Sequence, residues 1–335
     1  MKKNLKKMDF SYGYDLSGLQ NYVDQLNSDI ISEAVLSPVT MDYVNVIPGI
    51  KGTMNVNLLS EDVTVQTGTS CGFNPQGTVT FTTAPVTVQA LKVNQELCLE
   101  ELNTLWLGQY LNAGSYNEQA PFEQAIIDLQ TRQIKKSNEL RLWQANTGST
   151  GAFSGSTFPG FQQIFASASY TADGGVKLTG QTALCSVTGS NATEKANAVL
   201  QQVDNLINAM SADIYSREDI VIFMSESAFK CYLQSVRNVN NFYIDSAAVG
   251  KVGSVYSIFH PQTNYKVVGV PGLNGSNLIV LGAQQYFLVG TDLTSDEDSF
   301  RAWWSQDFQT VRIMAAWKLG SAIAFPQFFV TNGLS

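Results

Sequence analysis

Charge is what this sequence has least of. Only 14% of its 335 residues are Asp, Glu, Lys or Arg, against roughly 25% in ordinary soluble domains. The polar surface is therefore built largely from Ser, Thr, Asn, Gln and Gly. Such a surface offers little resistance to association, because charge buried in an interface costs desolvation. Histidine is nearly absent: a single copy, His260, excludes a metal site made of two or three imidazoles and leaves a histidine triad one candidate. Cysteine is sparse, with Cys71, Cys98, Cys185 and Cys231 far apart and no C-x-x-C pair. Four cysteines in a chain this long do not make a disulfide scaffold, and they are expected to be reduced and packed. There is no basic excess, since 20 Lys and Arg face 28 Asp and Glu for a net charge of -8, which argues against a dedicated nucleic-acid binder. No run approaches the roughly 18 apolar residues of a transmembrane helix. The first ten residues hold four lysines without an apolar run behind them, so a secretory signal is not expected and a cytoplasm-like compartment is.

What is present falls into blocks. Residues 1–47 read as an arm, with a modest helical pattern at Leu19, Tyr22, Val23, Leu26 and Ile30. From residue 50 to 95 apolar and polar residues alternate: Met54, Val56, Leu58, Val63 and Val65, then Val79, Phe81, Val86, Val88, Leu91 and Val93. Period two with Val and Thr enrichment predicts two strands joined by the Gly68–Gly77 region, a long β-hairpin that must rest on something else. A short helix is predicted within 96–112. A long one follows from a cap at Ser115 or Asn117 to about Asn146, with Pro121, Glu123 and Asp128 early and Arg132, Lys135, Lys136 and Arg141 late, as the helix dipole favours.

The Gly/Ser-rich stretch 148–160 reads as a loop, and 161–190 as weak strands and loops. Asn191-x-x-Glu194 resembles a capping box. It precedes an apolar stripe at helical spacing: Ala196, Val199, Leu200, Val203, Leu206, Ile207 and Met210. Ile220–Met224 has the continuous apolar run of a buried strand, and Ser225 is placed to cap the next helix, which carries Phe229, Leu233 and Val236. From Tyr265 the pattern is β, ending with Phe300–Trp317, nearly 60 Å at about 3.3 Å per residue if it is one strand, and Ala322–Thr331, interrupted at Pro326.

No constellation has the spacing of a catalytic or cofactor site, so no catalytic, cofactor-binding or metal-binding residue is assigned. His260, before Pro261, reads as a surface or interface histidine and not a general base. Asp292, Asp296, Glu297 and Asp298 lack the spacing of a calcium loop and read as a solvated acidic loop. Gly148–Gly160 has no G-K-[ST] and is no phosphate cradle. Gly269–Gly275, with its Pro-Gly and Asn-Gly pairs, is turn chemistry between strands. Trp303, Trp304, Trp317, Tyr286, Phe287, Phe300 and Phe308 read as core and subunit packing more than as a carbohydrate platform. The N-terminal lysines suit phosphate contacts or a solubilising tail equally.

Three C-terminal segments carry a resemblance. Val268-Gly-Val-Pro-Gly272, Asn277-Leu-Ile-Val-Leu-Gly282 and Gln285-Tyr-Phe-Leu-Val-Gly290 are followed by Val311-Arg-Ile-Met-Ala-Ala-Trp-Lys-Leu-Gly320, a strand expected to turn at its glycine into the proline-containing Ser321–Val330. With the preceding elements in order, this resembles the major capsid protein of tailed bacteriophages, the Hong Kong 97 fold. The resemblance implies an α+β chain with an N-terminal arm (1–49) and an E-loop hairpin (50–95). It also implies a peripheral domain with a spine helix (96–160, completed by about 286–320) and an α/β axial domain (161–285, to which 321–335 returns). It implies a structural, non-enzymatic subunit without cofactors that forms hexamers and pentamers of an icosahedral shell around double-stranded DNA in the virion. Assembly would take place in the host cytoplasm, with a separate scaffolding protein and a portal, nonspecific DNA contact and no membrane. The family's cross-link between an E-loop lysine and an asparagine is not transferred, because the hairpin has only Lys51 and Lys92, near its base. A tail-tube or decoration subunit is the alternative.

Overall fold

The computed structural model describes residues 38–68, 75–98, 122–148, 153, 155–156, 158–181, 192–215, 217–240, 250–252, 255–261, 263–292, 300–305, 307–308 and 310–333. In chain order the elements are β1 (Asn45–Ile47), β2 (Thr53–Val63), β3 (Gly77–Thr87), β4 (Gln89–Cys98), α1 (Phe122–Gln144), α2 (Phe161–Ala166), α3 (Ala168–Ala172) and β5 (Val176–Lys177). There follow α4 (Ala192–Asn208), α5 (Ala212–Tyr215), β6 (Ile220–Ser225), α6 (Glu226–Asn240), β7 (Gly250–Val252), β8 (Val255–Phe259), β9 (Lys266–Val270), β10 (Val280–Ala283), β11 (Phe287–Thr291), β12 (Phe300–Ser305), β13 (Thr310–Ile323) and β14 (Phe329–Thr331). They form two compact units, one within 92–131 and 296–316, the other within 32–91, 132–295 and 317–335.

The larger unit is organised around β6, whose six residues are all buried. It lies in a seven-stranded sheet of order β5-β14-β10-β6-β9-β8-β7, parallel to β9 and antiparallel to β10. Its even residues Ile220, Ile222 and Met224 meet Val199, Val203 and Leu206 of α4 and Phe229, Tyr232 and Val236 of α6, so the predicted stripe faces this core from Val199 to Leu206. Ser225 caps α6 by accepting the Ala228 N–H at 3.3 Å. On the other face Phe223 enters an aromatic cluster centred on Phe287, whose ring lies 5.0 Å from Phe223, 5.6 Å from Phe161 and 4.8 Å from Phe329. Trp143, fully buried at the end of α1, completes it 5.3 Å from Phe223. A strand covered on both sides explains the unbroken apolar run of β6.

Burial along α1 recurs every three or four residues, at Ile127, Thr131, Ile134, Asn138 and Leu142, as an amphipathic helix requires. Its 23 residues span about 35 Å at 1.5 Å per residue. In the smaller unit β12 pairs antiparallel with the first half of β13, from Phe300 opposite Ala315 to Ser305 opposite Thr310, and Glu96 accepts from Thr310 at 2.6 Å and Arg312 at 3.2 Å. In the larger unit the second half of β13 pairs with β11, which is also joined in parallel by β1.

Several expectations change. Phe300–Trp317 is not one strand: it reverses around Asp307-Phe308, and alternation continues in the same style on both sides, so periodicity could not reveal the turn. Residues 161–172 are two short helices, where Ser167 donates to the Ile164 carbonyl at 2.7 Å and accepts the Tyr170 N–H at 3.3 Å. Residues 96–98 belong to β4, while the rest of the predicted 96–112 helix and the caps Ser115, Asn117 and Pro121 lie outside the described residues, as does Asn191. The chain does not turn at Gly320: β13 runs on to Ile323, and the break comes at Phe325, which has φ 55°, before Pro326. Cys231 is disulfide-bonded rather than reduced, since separation in sequence says nothing of separation in space; Cys98 is free and exposed. Truncating Phe287 to Ala removes the ring shared by the aromatic cluster. It should lower unfolding free energy by about 3–5 kcal/mol, read as a shifted guanidinium midpoint at unchanged slope; a change below about 1 kcal/mol would deny the cluster that role.

Candidate functional site

The feature that the chain does not complete by itself is the β2–β3 ribbon. Its strands pair antiparallel over eleven positions, from Thr53 opposite Thr87 to Val63 opposite Gly77. Successive side chains alternate between faces, and the apolar content changes face along the ribbon. Near the root the even positions are apolar: Ala84 and Val86 are buried, and with Val88 and Ile50 they pack on Leu288, Ala324 and Phe325. Farther out the odd positions take over. Leu59 and Phe81 are directly opposed and are 57% and 74% exposed, with Val79 beside them at 55%. Nothing else in the described chain covers these three. Period two fixed the ribbon but hid the face change, because Val, Leu and Thr occur on both phases.

The root is held by polar contacts. Lys318 Nζ donates to Asp292 Oδ2 at 2.8 Å and to the Lys51 carbonyl at 3.2 Å. Ile50 N–H donates to Thr291 O at 3.0 Å, Val88 N–H to Gly52 O at 2.9 Å, and the Thr53 and Thr87 hydroxyls lie 3.0 Å apart. Asp292 is thus a nearly buried partner of Lys318, with 4% side-chain exposure, and not part of a solvated acidic loop; Asp296, Glu297 and Asp298 lie outside the described residues.

Two buried networks went unseen in the sequence. Glu139 on α1 accepts the Thr40 N–H at 3.0 Å and its hydroxyl at 2.6 Å, while Trp143 Nε1 donates to Thr40 Oγ1 at 2.7 Å. Burial pushes the Glu139 carboxyl above the usual range, opposed by these hydrogen bonds. The only legible signal was a carboxylate falling on the buried phase of an amphipathic helix. The second network corrects the reading of His260 as a surface residue. The residue is 7% exposed, with Nδ1 2.8 Å from the Tyr232 hydroxyl and Nε2 3.3 Å from Asp204 Oδ1. With Nε2–H facing Asp204, Nδ1 accepts from Tyr232, and the imidazole bolts α4, α6 and the β8–β9 turn together. Burial raises the Tyr232 phenol, so its proton stays in place and the trio holds structure rather than activating a nucleophile.

Of the remaining candidates, the described part of 148–160 returns to the end of α1: Ser156 N–H donates to the Asn146 carbonyl at 3.0 Å and Gly160 N–H to that of Ala145 at 2.8 Å, and Arg141 covers the Phe153 ring at 5.2 Å. The turn at 269–275 is a 3₁₀ turn, Pro271–Leu273, followed by Gly275 at φ 89°. The aromatic set divides: Phe287 and Trp317 are buried, while Trp303 and Phe308 are exposed, the latter under Arg312 at 4.5 Å. The lysine arm lies outside the described residues. No helix among the described residues is long and apolar enough to cross a membrane.

No protein-family model matches the sequence, and no curated protein does either. Solved structures do match. The satellite phage P4 procapsid is similar at a TM-score of 0.53 and 12% identity, over 91% of this chain and 96% of that one. Mycobacterium phage Ogopogo is similar at 0.52 and 14%, over 88% and 90%. The capsid of an empty GTA particle is similar at 0.50 and 12%, over 90% and 89%. This chain, with its extended hairpin, long helix and sheet backed by two helices, thus shares the α+β fold of these structures. The fold is the Hong Kong 97-like capsid fold of the tailed phages.

His260 gives a pH signature. Burial lowers its pKa from the ordinary 6.5, outweighing Asp204, which raises it. The unfolded chain then takes up the proton first, so stability falls as pH drops through about 6.5 toward the folded value. Glu139, raised, acts with the opposite sign above 4.5, so the comparison must be with a variant. The thermal midpoint advantage of wild type over His260→Gln should shrink from pH 7.5 to 5.5; an advantage independent of pH would show that His260 does not titrate abnormally.

Proposed function

We propose that this chain is a major capsid protein, assembling into hexamers and pentamers of an icosahedral head shell around double-stranded DNA. The observation that carries this reading is the exposed Leu59–Phe81 pair with Val79 on a two-stranded ribbon. Such a ribbon is marginal alone and presents edges ready for pairing. A second copy laid against it covers the face, and each apolar side chain fully buried there contributes about 1.5–3 kcal/mol to assembly rather than to subunit folding. The low charge supports the same reading, as does the fold shared with shell proteins. The long helix preceding a seven-stranded sheet favours a shell subunit over a tail-tube or decoration protein.

In this reading 1–49 is an arm and 50–95 the intersubunit clamp. Residues 96–160 with about 286–320 are the periphery, and 161–285 with 321–335 the axial domain. The chain acts by binding, without a reaction or cofactor. It resides in the virion after assembly in the host cytoplasm. The arm's lysines meet scaffold or genome on the inside, with a separate scaffolding protein and portal as further partners. Replacing residues 59–81 by a short Gly-Ser bridge leaves the buried root intact. The deletant should unfold at nearly the wild-type temperature yet sediment without shells. Complete particles from it, or a chain that does not fold, would sink the clamp reading.

A further inference from the structure

Gly290 of β11 and Gly320 of β13 face one another as cross-strand partners. Neither needs an unusual backbone angle; what each lacks room for is a side chain. A Cβ on Gly320 would lie 2.1 Å from the Thr87 carbonyl oxygen and 3.0 Å from Val88 Cα. One on Gly290 would lie 2.7 Å from Val88 Cγ1, 3.0 Å from Ile50 Cδ1 and 3.1 Å from Val86 Cγ1. The pair therefore opens a side-chain-free notch across the β11–β13 ladder, and the root of the ribbon crosses the sheet in it. Val86 at 0%, Ile50 at 3% and Val88 at 5% exposure fill the notch. Lys318, two residues before Gly320 on the same strand, ties the β2 side through the Lys51 carbonyl and Asp292. One strand root is seated by contact and the other by hydrogen bonds.

We propose that Gly290, Gly320 and Lys318 are positioning residues that set the angle at which the hairpin leaves the subunit, and thereby the curvature and size of the shell. The proposal rests on the assembly reading above and adds to it which residues govern particle geometry. The lever makes the angle matter. Strands of eleven residues at about 3.3 Å each give an arm of about 35 Å, so a tilt of about 5° moves the outer end by about 3 Å. Close-packed contacts do not absorb a shift of that size. Because the clash at Gly320 is with backbone, a methyl there has to move the ribbon root rather than rotate a neighbouring side chain.

The experiment expresses the full chain, alone and with its scaffold, and reads particle diameter by electron microscopy and subunit stability by thermal unfolding. Gly320→Ala and Gly290→Ala should fold and associate while losing the wild-type diameter class, giving particles of other sizes or open sheets. Gly290→Ala/Val88→Ala, which removes the nearest methyls, should restore that class. Lys318→Met, which frees the β2 root without pushing it, should broaden the distribution about an unchanged mean. Gly282→Ala is the control. Its Cβ would press on Phe329 at 2.2 Å, away from the ribbon, so it should lower stability and leave diameter unchanged. If Gly320→Ala does not fold, Gly290→Ala and its Val88 rescue carry the test. Unchanged diameters in both glycine variants, or a diameter that follows lost stability in Gly282→Ala as well, overturn the proposal. Wild-type chain that forms no particles in either condition instead overturns the assembly reading itself.

Discussion

Everything in the larger unit depends on β6 being covered on both faces. A strand with Ile222 on one side and Phe223 on the other has to be sandwiched. The two-helix layer supplies one cover and the Phe287 aromatic cluster the other. From the second cover the long helix is pinned through Trp143, and from the same strand as Phe287 comes the floor of the hairpin root. The interior thus delivers the ribbon to the surface in a fixed place, while Leu59, Val79 and Phe81 on its outer half stay exposed.

This division separates the part of the ribbon that is built into the core from the part that is left exposed. The root is dry, hydrogen-bonded and jointed to the core. The outer half leaves the apolar side chains of Leu59, Val79 and Phe81 exposed to water. Glu139 and His260 are each enclosed and hydrogen-bonded within the larger unit, in a chain of which only 14% of residues are charged.

Elements with their own period were legible in the sequence. The alternation in β2 and β3, the stripe on α4, the apolar run of β6 and the Ser225 cap are local signals, set by the geometry of one strand or one helix turn. What was not legible depends on neighbours distant along the chain. His260 meets a tyrosine 28 positions away, and Glu139 meets a threonine 99 positions away. No spacing rule reaches that far. Gly320 illustrates the point most sharply. A glycine ending a strand pattern reads as a turn, but this one sits mid-strand because Thr87 passes over it, a cause that exists only in three dimensions. The reversal near Asp307 escaped for the opposite reason, since two strands of like composition look the same as one.

The apolar pair Leu59 and Phe81 also carries a thermal consequence. Contacts that draw their strength from releasing water weaken as temperature falls and strengthen with salting-out anions such as sulfate. Attraction between charges loses strength as ions are added. A shell closed through these residues would be at its most fragile in the cold and at its firmest in warm, concentrated salt, and chilling would loosen it before it unfolded a single subunit.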